Sequence, residues 1–421
     1  MFLAAILDGT AQNKTGLTAL MNGVAHIGNG QVIEGSLIVI EKNRIKEVLD
    51  VRNIRINRLA YDTIIDLSGK HVYPGLINCN NVLGLHDAEA VRATRDFAEV
   101  GAVNPHIRAL IAYNTDNLIV PTIKTNGVLY TQATPRGGLI SGQSSVMALE
   151  GWNWEDAVLK ADDGVHVNFP HTHTVRFNEE EGTTKAANKK YDEELAGLEK
   201  FIADARAYCA TEKTSEKNLR MEAMRKVFEG KANLYLHADK VKDMLSAIAF
   251  AKKYGIQKPV IVGGKESYRI TDVLKKNRVP VMLNRILDLP DNADDDVDIV
   301  YRLPYLLQKD SVLFCLQLEG DMEAMQSRNL AFNAGAAVAY GLNREEALAA
   351  VSLNAARILG VENELGTLES GKLASLIVST GDVLDMKSNN IVMAFIGGKP
   401  VTLFNKQTEL YLRYKNKYGI K

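Results

Sequence analysis

The stretch His71-Val72-Tyr73-Pro74-Gly75-Leu76-Ile77-Asn78-Cys79-Asn80-Asn81-Val82 decides the fold. It is a short apolar run with Gly69 before it and polar residues after it. Pro74 has no N–H to give a ladder, so it belongs at a strand start or on an edge. Leu76 to Cys79 reads as a buried parallel strand whose end carries polar groups into a cavity. Barrel enzymes place their chemistry at that end of a strand.

Upstream, residues 18–67 read as β-structure. Leu37–Ile40 runs into the turn signal Glu41-Lys42-Asn43, and Ile45–Val48 and Thr63–Leu67 follow. The tail has the same character at Ala374–Val378, Ile391–Ile396 and Val401–Leu403. The middle, residues 70–362, alternates strand-like and helix-like runs, the pattern of βα units around a parallel sheet. Its candidate strands are Gly127–Gln132, Val165–Phe169, Asn233–His237, Pro259–Val262, Val279–Asn284 and Val312–Leu318. Val241–Tyr254 is a helix by the spacing of Val241, Met244, Leu245, Ile248 and Ala249. Glu179–Gly230 reads as a charged helical excursion, and Asp291–Asp298 as a solvated acidic loop without the Gly and Glu of a calcium loop. Asn329–Tyr340 and Arg344–Gly360 close the middle as amphipathic helices, the second started by Asn343 and stopped by Gly360.

Pro74-Gly75-Leu76-Ile77 resembles the opening barrel strand of the amidohydrolase superfamily, in its imidazolonepropionase-like and prolidase-like branch. There the wording is Pro-Gly-Leu-Ile-Asp-x-His-x-His, and the two histidines bind a divalent metal. Gly366-Thr-Leu-Glu-Ser-Gly-Lys-Leu-Ala-Ser375-Leu-Ile-Val378 is similar to a second family motif, with Ser375 at its Asp position. Ser352-Leu-Asn354-Ala-Ala356 is similar to the closing Thr-x-Asn-Pro-Ala. The resemblance spans about Met21 to Val401. It implies a (β/α)8 TIM-type barrel over 70–362, and a small β-sandwich domain built from 18–69 plus 363–410. The implied activity is hydrolysis of a carbon–nitrogen bond.

Composition narrows the partners. The 421 residues carry 50 Lys+Arg against 51 Asp+Glu, a net charge of -1, which argues against a nucleic-acid or anionic-membrane surface. No apolar run is long enough to span a bilayer. Cys79, Cys209 and Cys315 show no zinc spacing and no disulfide framework. Met1–Leu7 followed by Thr10-Ala11-Gln12 reads either as a shortened signal sequence or as a frayed terminus. Exported relatives favour a periplasmic location, with the cytoplasm as the alternative.

The motif positions that should ligate metal have changed. The acidic position of the first strand is Asn78, and its two histidine positions are Asn80 and Val82. An amide is a poor zinc ligand and an isopropyl group is none. His237, in Leu234-Tyr-Leu-His-Ala238, keeps a ligand position. Val260–Lys265 has no histidine, and the last strand offers Gln317 or Leu318 in register, with Glu319 and Asp321 as shifted carboxylates. No metal or other cofactor is therefore expected. His171-Thr-His173 could face one cation with His166 or His237, which leaves zinc at a His171/His173/His237 site as the alternative.

Thr131–Ser145 is rich in Gly and Ser and contains Arg136, a bidentate donor for a carboxylate or phosphate. It is neither a P-loop nor, at Gly142-Gln143-Ser144, a nucleophile elbow. It reads equally as a ligand loop and as a packed Ω-loop with Arg136 paired internally. Trp152 and Trp154 read as core or loop anchors, and Cys79 as a buried small hydrophobe. The candidate ligand-binding residues are Asn78, Asn80, Arg136, Gln143, His237 and Gln317, with no catalytic residue assigned. The expected partner is a small polar ligand at the barrel mouth of a degenerate relative. A homo-oligomer, or pairing with an active paralogue, is the further expectation.

Overall fold

A computed structural model describes residues 16–178, 182–211, 216–292 and 294–420. The apolar start Met1–Leu7 and Thr10–Gln12 lie outside the described residues, as do parts of the 179–230 excursion and Ala293 of the acidic loop. Strands β1 (Leu17–His26), β2 (Val32–Glu41), β3 (Arg44–Asp50), β4 (Thr63–Asp66) and β5 (His71–Pro74) open the chain. β6 (Leu76–Asn81), β7 (Val128–Ala133), β8 (Ile140–Ala148) and β9 (Val158–Asn168) follow. A hairpin of β10 (His173–Asn178) and β11 (Gly182–Ala187) precedes β12 (Asn233–Ala238), β13 (Pro259–Gly263), β14 (Val281–Leu283) and β15 (Phe314–Leu316). β16 (Leu376–Ser379), β17 (Ile391–Ile396) and β18 (Lys399–Pro400) end the β-structure.

Both ends of the chain share one sheet, ordered β18-β17-β16-β5-β1-β2-β3, with β4 also on β1. Alternate residues explain its two faces: Leu20, Ile38 and Ile40 join one apolar cluster, and Ala19, Met21, Leu37 and Val39 another. Hydrogen bonds join all eight strands into one branched sheet. Pro74 ends a central strand rather than starting one or lying on an edge. Position 74 is the last rung of β5, where a missing N–H costs no further ladder bond. Val401–Leu403, read as a strand, lies beyond β18 and outside it.

The second sheet runs β15-β14-β13-β12-β9-β8-β7-β6, and a lone bridge from Cys79 to Gln317 brings its edges together. The result is a nearly closed eight-stranded barrel inside one large apolar cluster. It departs from the all-parallel expectation, because β8 is antiparallel to both β7 and β9. Only residues 134–139 separate β7 from β8, too few for a helical crossover, so the chain must double back. Thus Thr131–Ser145 is not an Ω-loop: it is the end of β7, a turn and most of β8. Gly142 (φ +137°) sits where a Cβ would lie 2.6 Å from the Ile107 carbonyl oxygen, so the strand can be covered closely by residues 101–108.

The helices follow their signals. Val241–Lys253 is helical. Asn343 caps Arg344–Ala350 by accepting from Glu345 N–H, and Gly360 ends Leu353–Leu359 with φ +67°. The expected single helix over 344–360 is broken at Val351-Ser352, where the Val351 carbonyl accepts from Ile77 N–H of β6 at 2.9 Å. Among the described residues no helix is long and apolar enough to cross a membrane.

Candidate active site

The barrel mouth lies where β6, β12 and β15 end. Asn80 adopts φ +48°, a left-handed turn that asparagine tolerates, and this swings its side chain over the opening. Every polar group of Asn80 is used. Its N–H donates to Gln132 Oε1 at 2.9 Å, and its Nδ2 donates to Glu319 Oε2 at 2.8 Å. Its Oδ1 and carbonyl oxygen accept from Arg136 Nη1 and Nη2 at 2.9 and 2.8 Å. Arg136 Nη2 also donates to the Glu323 carboxylate at 3.0 Å, and Arg136 Nε is 3.9 Å from Glu319. Burial works against the charge on Arg136, but Glu323 and Glu319 outweigh it and hold the pKa above the usual arginine value. Burial likewise opposes ionisation of Glu319, yet Arg136, His237 and Asn80 hold it far below the usual carboxylate range.

Inside the barrel a polar chain runs away from the mouth. His237 Nδ1 is 3.7 Å from Glu319 Oε2, and His237 Nε2 is 3.0 Å from His166 Nδ1. His166 Nε2 is 3.0 Å from Ser144 Oγ, which donates to Asp163 Oδ1 at 2.8 Å. Asp163 Oδ2 also accepts from Gln132 Nε2 at 2.9 Å and Tyr235 OH at 2.5 Å. The Ser144 proton is committed to Asp163, so in the neutral chain His166 carries its proton on Nε2 and accepts at Nδ1 from His237. Burial pushes Asp163 up, and burial, His237 and Arg136 push His166 well down. Ser144 is wholly buried and saturated, so it is no nucleophile. The neighbouring Cys315 thiol and burial raise the Cys79 thiol, which excludes a resting thiolate.

The structure brings four of the six sequence candidates together: Asn80, Arg136, His237 and Gln317. Gln317 is fully buried; its Oε1 accepts from Glu319 N–H at 2.6 Å, while its Nε2 has no partner. Asn78 is not in the site. It faces the helical layer and donates to Ser327 Oγ at 2.7 Å. Gln143 is not there either, because adjacent strand residues face opposite ways: Ser144 points into the barrel, and Gln143 Nε2 donates to the Pro105 carbonyl at 3.0 Å. Arg136 is paired internally. Glu319, set aside on register, stands at the mouth beside Gln317. Trp152 is no anchor, with 92% exposure, whereas Trp154 packs on the core. The reading missed Gln132, Ser144, Asp163, Tyr235 and Glu323. Tyr235 alternates with apolar residues in β12, but Gln132, Ser144 and Asp163 lie beside other polar residues and Glu323 lies in a helix, so no strand pattern marks them.

A cavity of about 1120 Å³ opens at the rim, above the ends of β9 and β12. Asn168, His171, Asp239, Lys240, Lys242 and Asp243 line it. His171 Nδ1 is 3.5 Å from Asp243 Oδ2, and Asp243 raises the His171 pKa. His173 Nδ1 is 3.1 Å from Thr172 Oγ1. Lys240 joins Glu266 and Asp291 at 3.0 and 2.9 Å. Burial raises Asp239, whose Oδ1 accepts from Lys265 N–H at 3.2 Å. His237 belongs to the interior chain, so the His171/His173/His237 set is not assembled. A smaller cavity of about 270 Å³ lies on the other side of the mouth, lined by His86, Arg95, Arg136, Glu319 and Glu323.

Residues 310–401, which include β15 and the Gly366–Val378 motif, match the amidohydrolase family model. The fold is similar to that of an amidohydrolase from Thermotoga maritima MSB8, at 24% identity over 91% of this chain and 99% of that one, TM-score 0.78. It is similar to a prolidase solved with N-methylphosphonate-L-proline, at 17% identity, 92% and 99% coverage and TM-score 0.55. A putative prolidase from Bifidobacterium longum is similar at 17% identity, 95% and 99% coverage and TM-score 0.52. The chain thus has the fold of these amidohydrolases and prolidases, and its residues 310–401 carry the amidohydrolase family match. No curated protein matches it.

The resemblance to that superfamily implies a divalent metal at the mouth. The donor set does not fit one. Among the described residues no group of three or more His, Cys, Asp or Glu is placed to hold a metal. Val82 offers no donor atom, Asn80 is consumed by Arg136, Gln132 and Glu319, and His166 and His237 bond each other.

Proposed function

We propose that this amidohydrolase-superfamily chain binds a small polar ligand in the rim cavity and works without a metal at the barrel mouth. The observation that carries this reading is the Arg136 guanidinium, bonded to Asn80 and Glu323 at the mouth. A buried cation there repels a second one, and the oxygens around it are already bonded to the guanidinium. Arg136 is spent internally, so it does not take a ligand carboxylate. The rim offers other handles: Lys242 for a carboxylate and Asp239 for an amine. A zwitterion with a carbon–nitrogen bond between these groups, a dipeptide or a cyclic amide acid, suits walls of both signs. The similar prolidase was solved with a phosphonate analogue of a proline compound, in keeping with this class.

Calorimetric titration with a panel of dipeptides and cyclic amide acids tests the reading. Saturable binding is expected, weakened at least tenfold (about 1.4 kcal/mol) by Asp239→Asn or Lys242→Ala, with no product formed. Absence of binding across the panel defeats it. Turnover that disappears in His171→Ala and His173→Ala would instead restore a hydrolytic site at the rim.

A further inference from the structure

We propose that Arg136 is a built-in replacement for a bound cation, and that the cage around it becomes a divalent-metal site once the guanidinium is removed. This rests on the metal-free reading above and goes beyond it, because it assigns the vacated role to one side chain. Around Arg136 stand Asn80 Oδ1 at 2.9 Å, the Asn80 carbonyl at 2.8 Å and the Glu323 carboxylate at 3.0 and 3.1 Å, with Glu319 Oε1 at 3.9 Å. These are hard oxygen donors converging on one positive charge, the arrangement that also suits a small dication. The cage is held from outside: Asn80 Nδ2 fixes Glu319 at 2.8 Å, and Gly320 N–H donates to Glu323 Oε2 at 3.3 Å. Two carboxylates this close repel each other, and the guanidinium relieves that repulsion. Without it, either a proton or a metal must do so.

A second observation points the same way. The cavity of about 270 Å³ beside the guanidinium is lined by Glu319, Glu323 and His86. His86 is only 5% exposed, and its Nδ1 has no hydrogen-bond partner. A buried imidazole nitrogen without a partner is a ligand in waiting. It adds a nitrogen donor to the carboxylates, a mix that zinc accepts.

The test compares the full-length wild type with Arg136→Met, which keeps the apolar stem and removes the charge, and with Arg136→Lys, which keeps the charge. All are stripped with chelator and titrated with zinc chloride. Native mass spectrometry and calorimetry read the binding, and circular dichroism reads the fold. One zinc per chain is expected in Arg136→Met, bound at least tenfold more tightly than by wild type or Arg136→Lys. Adding Glu319→Gln to Arg136→Met should abolish it. If Arg136→Met is purified unfolded, zinc should restore its helical signal, since a ligand that binds only the folded state stabilises that state. A silent Arg136→Met, folded or unrestored, overturns the inference while leaving the metal-free reading intact. Zinc binding that survives Glu319→Gln overturns the placement of the site. Tight stoichiometric zinc in the wild type overturns the reading on which both rest.

Discussion

The barrel mouth and the rim cavity lie at the same end of one barrel and are built in opposite ways. At the mouth nearly every polar group already has a partner in the chain: Asn80 with Arg136, Gln132 and Glu319, His237 with His166, and Ser144 with Asp163. At the rim Lys240 pairs with Glu266 and Asp291, and His171 with Asp243, but these groups stand on the walls of a cavity of about 1120 Å³. The contrast teaches that polar residues at a barrel end do not by themselves make a binding site. A network that satisfies itself has nothing left to offer a ligand except at the cost of its own bonds, and buried groups that lose a partner are expensive. The mouth is therefore filled by its own bonds, and the open space lies at the rim.

This comparison can be broken from either side. The largest effect is expected for Arg136→Met. It strands two carboxylates in a buried pair and should cost about 3–5 kcal/mol in denaturant unfolding; a loss below about 1 kcal/mol would mean the mouth is not held by that charge. Asp163→Asn comes next. Asp163 accepts from Ser144, Gln132 and Tyr235, and an amide can accept at only one of the two oxygen positions. A loss of about 1–3 kcal/mol is expected, the cost of a buried donor left unmade. An unchanged midpoint would show that the interior chain is slack.

At the rim, His171→Ala should cost less than about 1 kcal/mol, because the His171 side chain is half exposed. Its sign with pH is the sharper check. The hydrogen bond to Asp243 raises the folded pKa of His171, so its contribution is fully present below about pH 6.5, the ordinary histidine value. That contribution is lost as pH rises through the folded value, so the stability gap between wild type and variant should close on raising the pH. A gap that widens would contradict the pairing. The smallest effect belongs to Gln143→Ala, which removes a bond to Pro105 outside the barrel and should leave ligand affinity at the rim unchanged. A tenfold weaker ligand would mean that the two faces of β8 have been misassigned.

Local signals were legible and long-range ones were not. Asn343, Gly360 and the spacing of Val241 to Ala249 act within a few residues of themselves, and the helices they announce are present. The antiparallel β8 was missed, because Ile140–Ser145 was read as part of a Gly- and Ser-rich loop and not as a strand. The losses at Asn80 and Val82 were plain because a motif fixes those positions. The pairing at the mouth was hidden, since Arg136 and Glu323 are 187 residues apart and meet only when β7 and the helix Glu323–Gln326 fold onto one barrel end. The same holds for Asp163 and Tyr235, 72 apart. The break at Val351 depends on a bond to Ile77 in another element. Spacing within a segment carries none of this.

The account turns on whether the mouth of this barrel holds a cation other than its own arginine. Elemental analysis of wild-type protein, purified without chelator and with zinc and manganese present throughout, measures that directly. Transition metal far below one atom per chain is the predicted result. One or two tightly held atoms per chain, retained through dialysis, would contradict it.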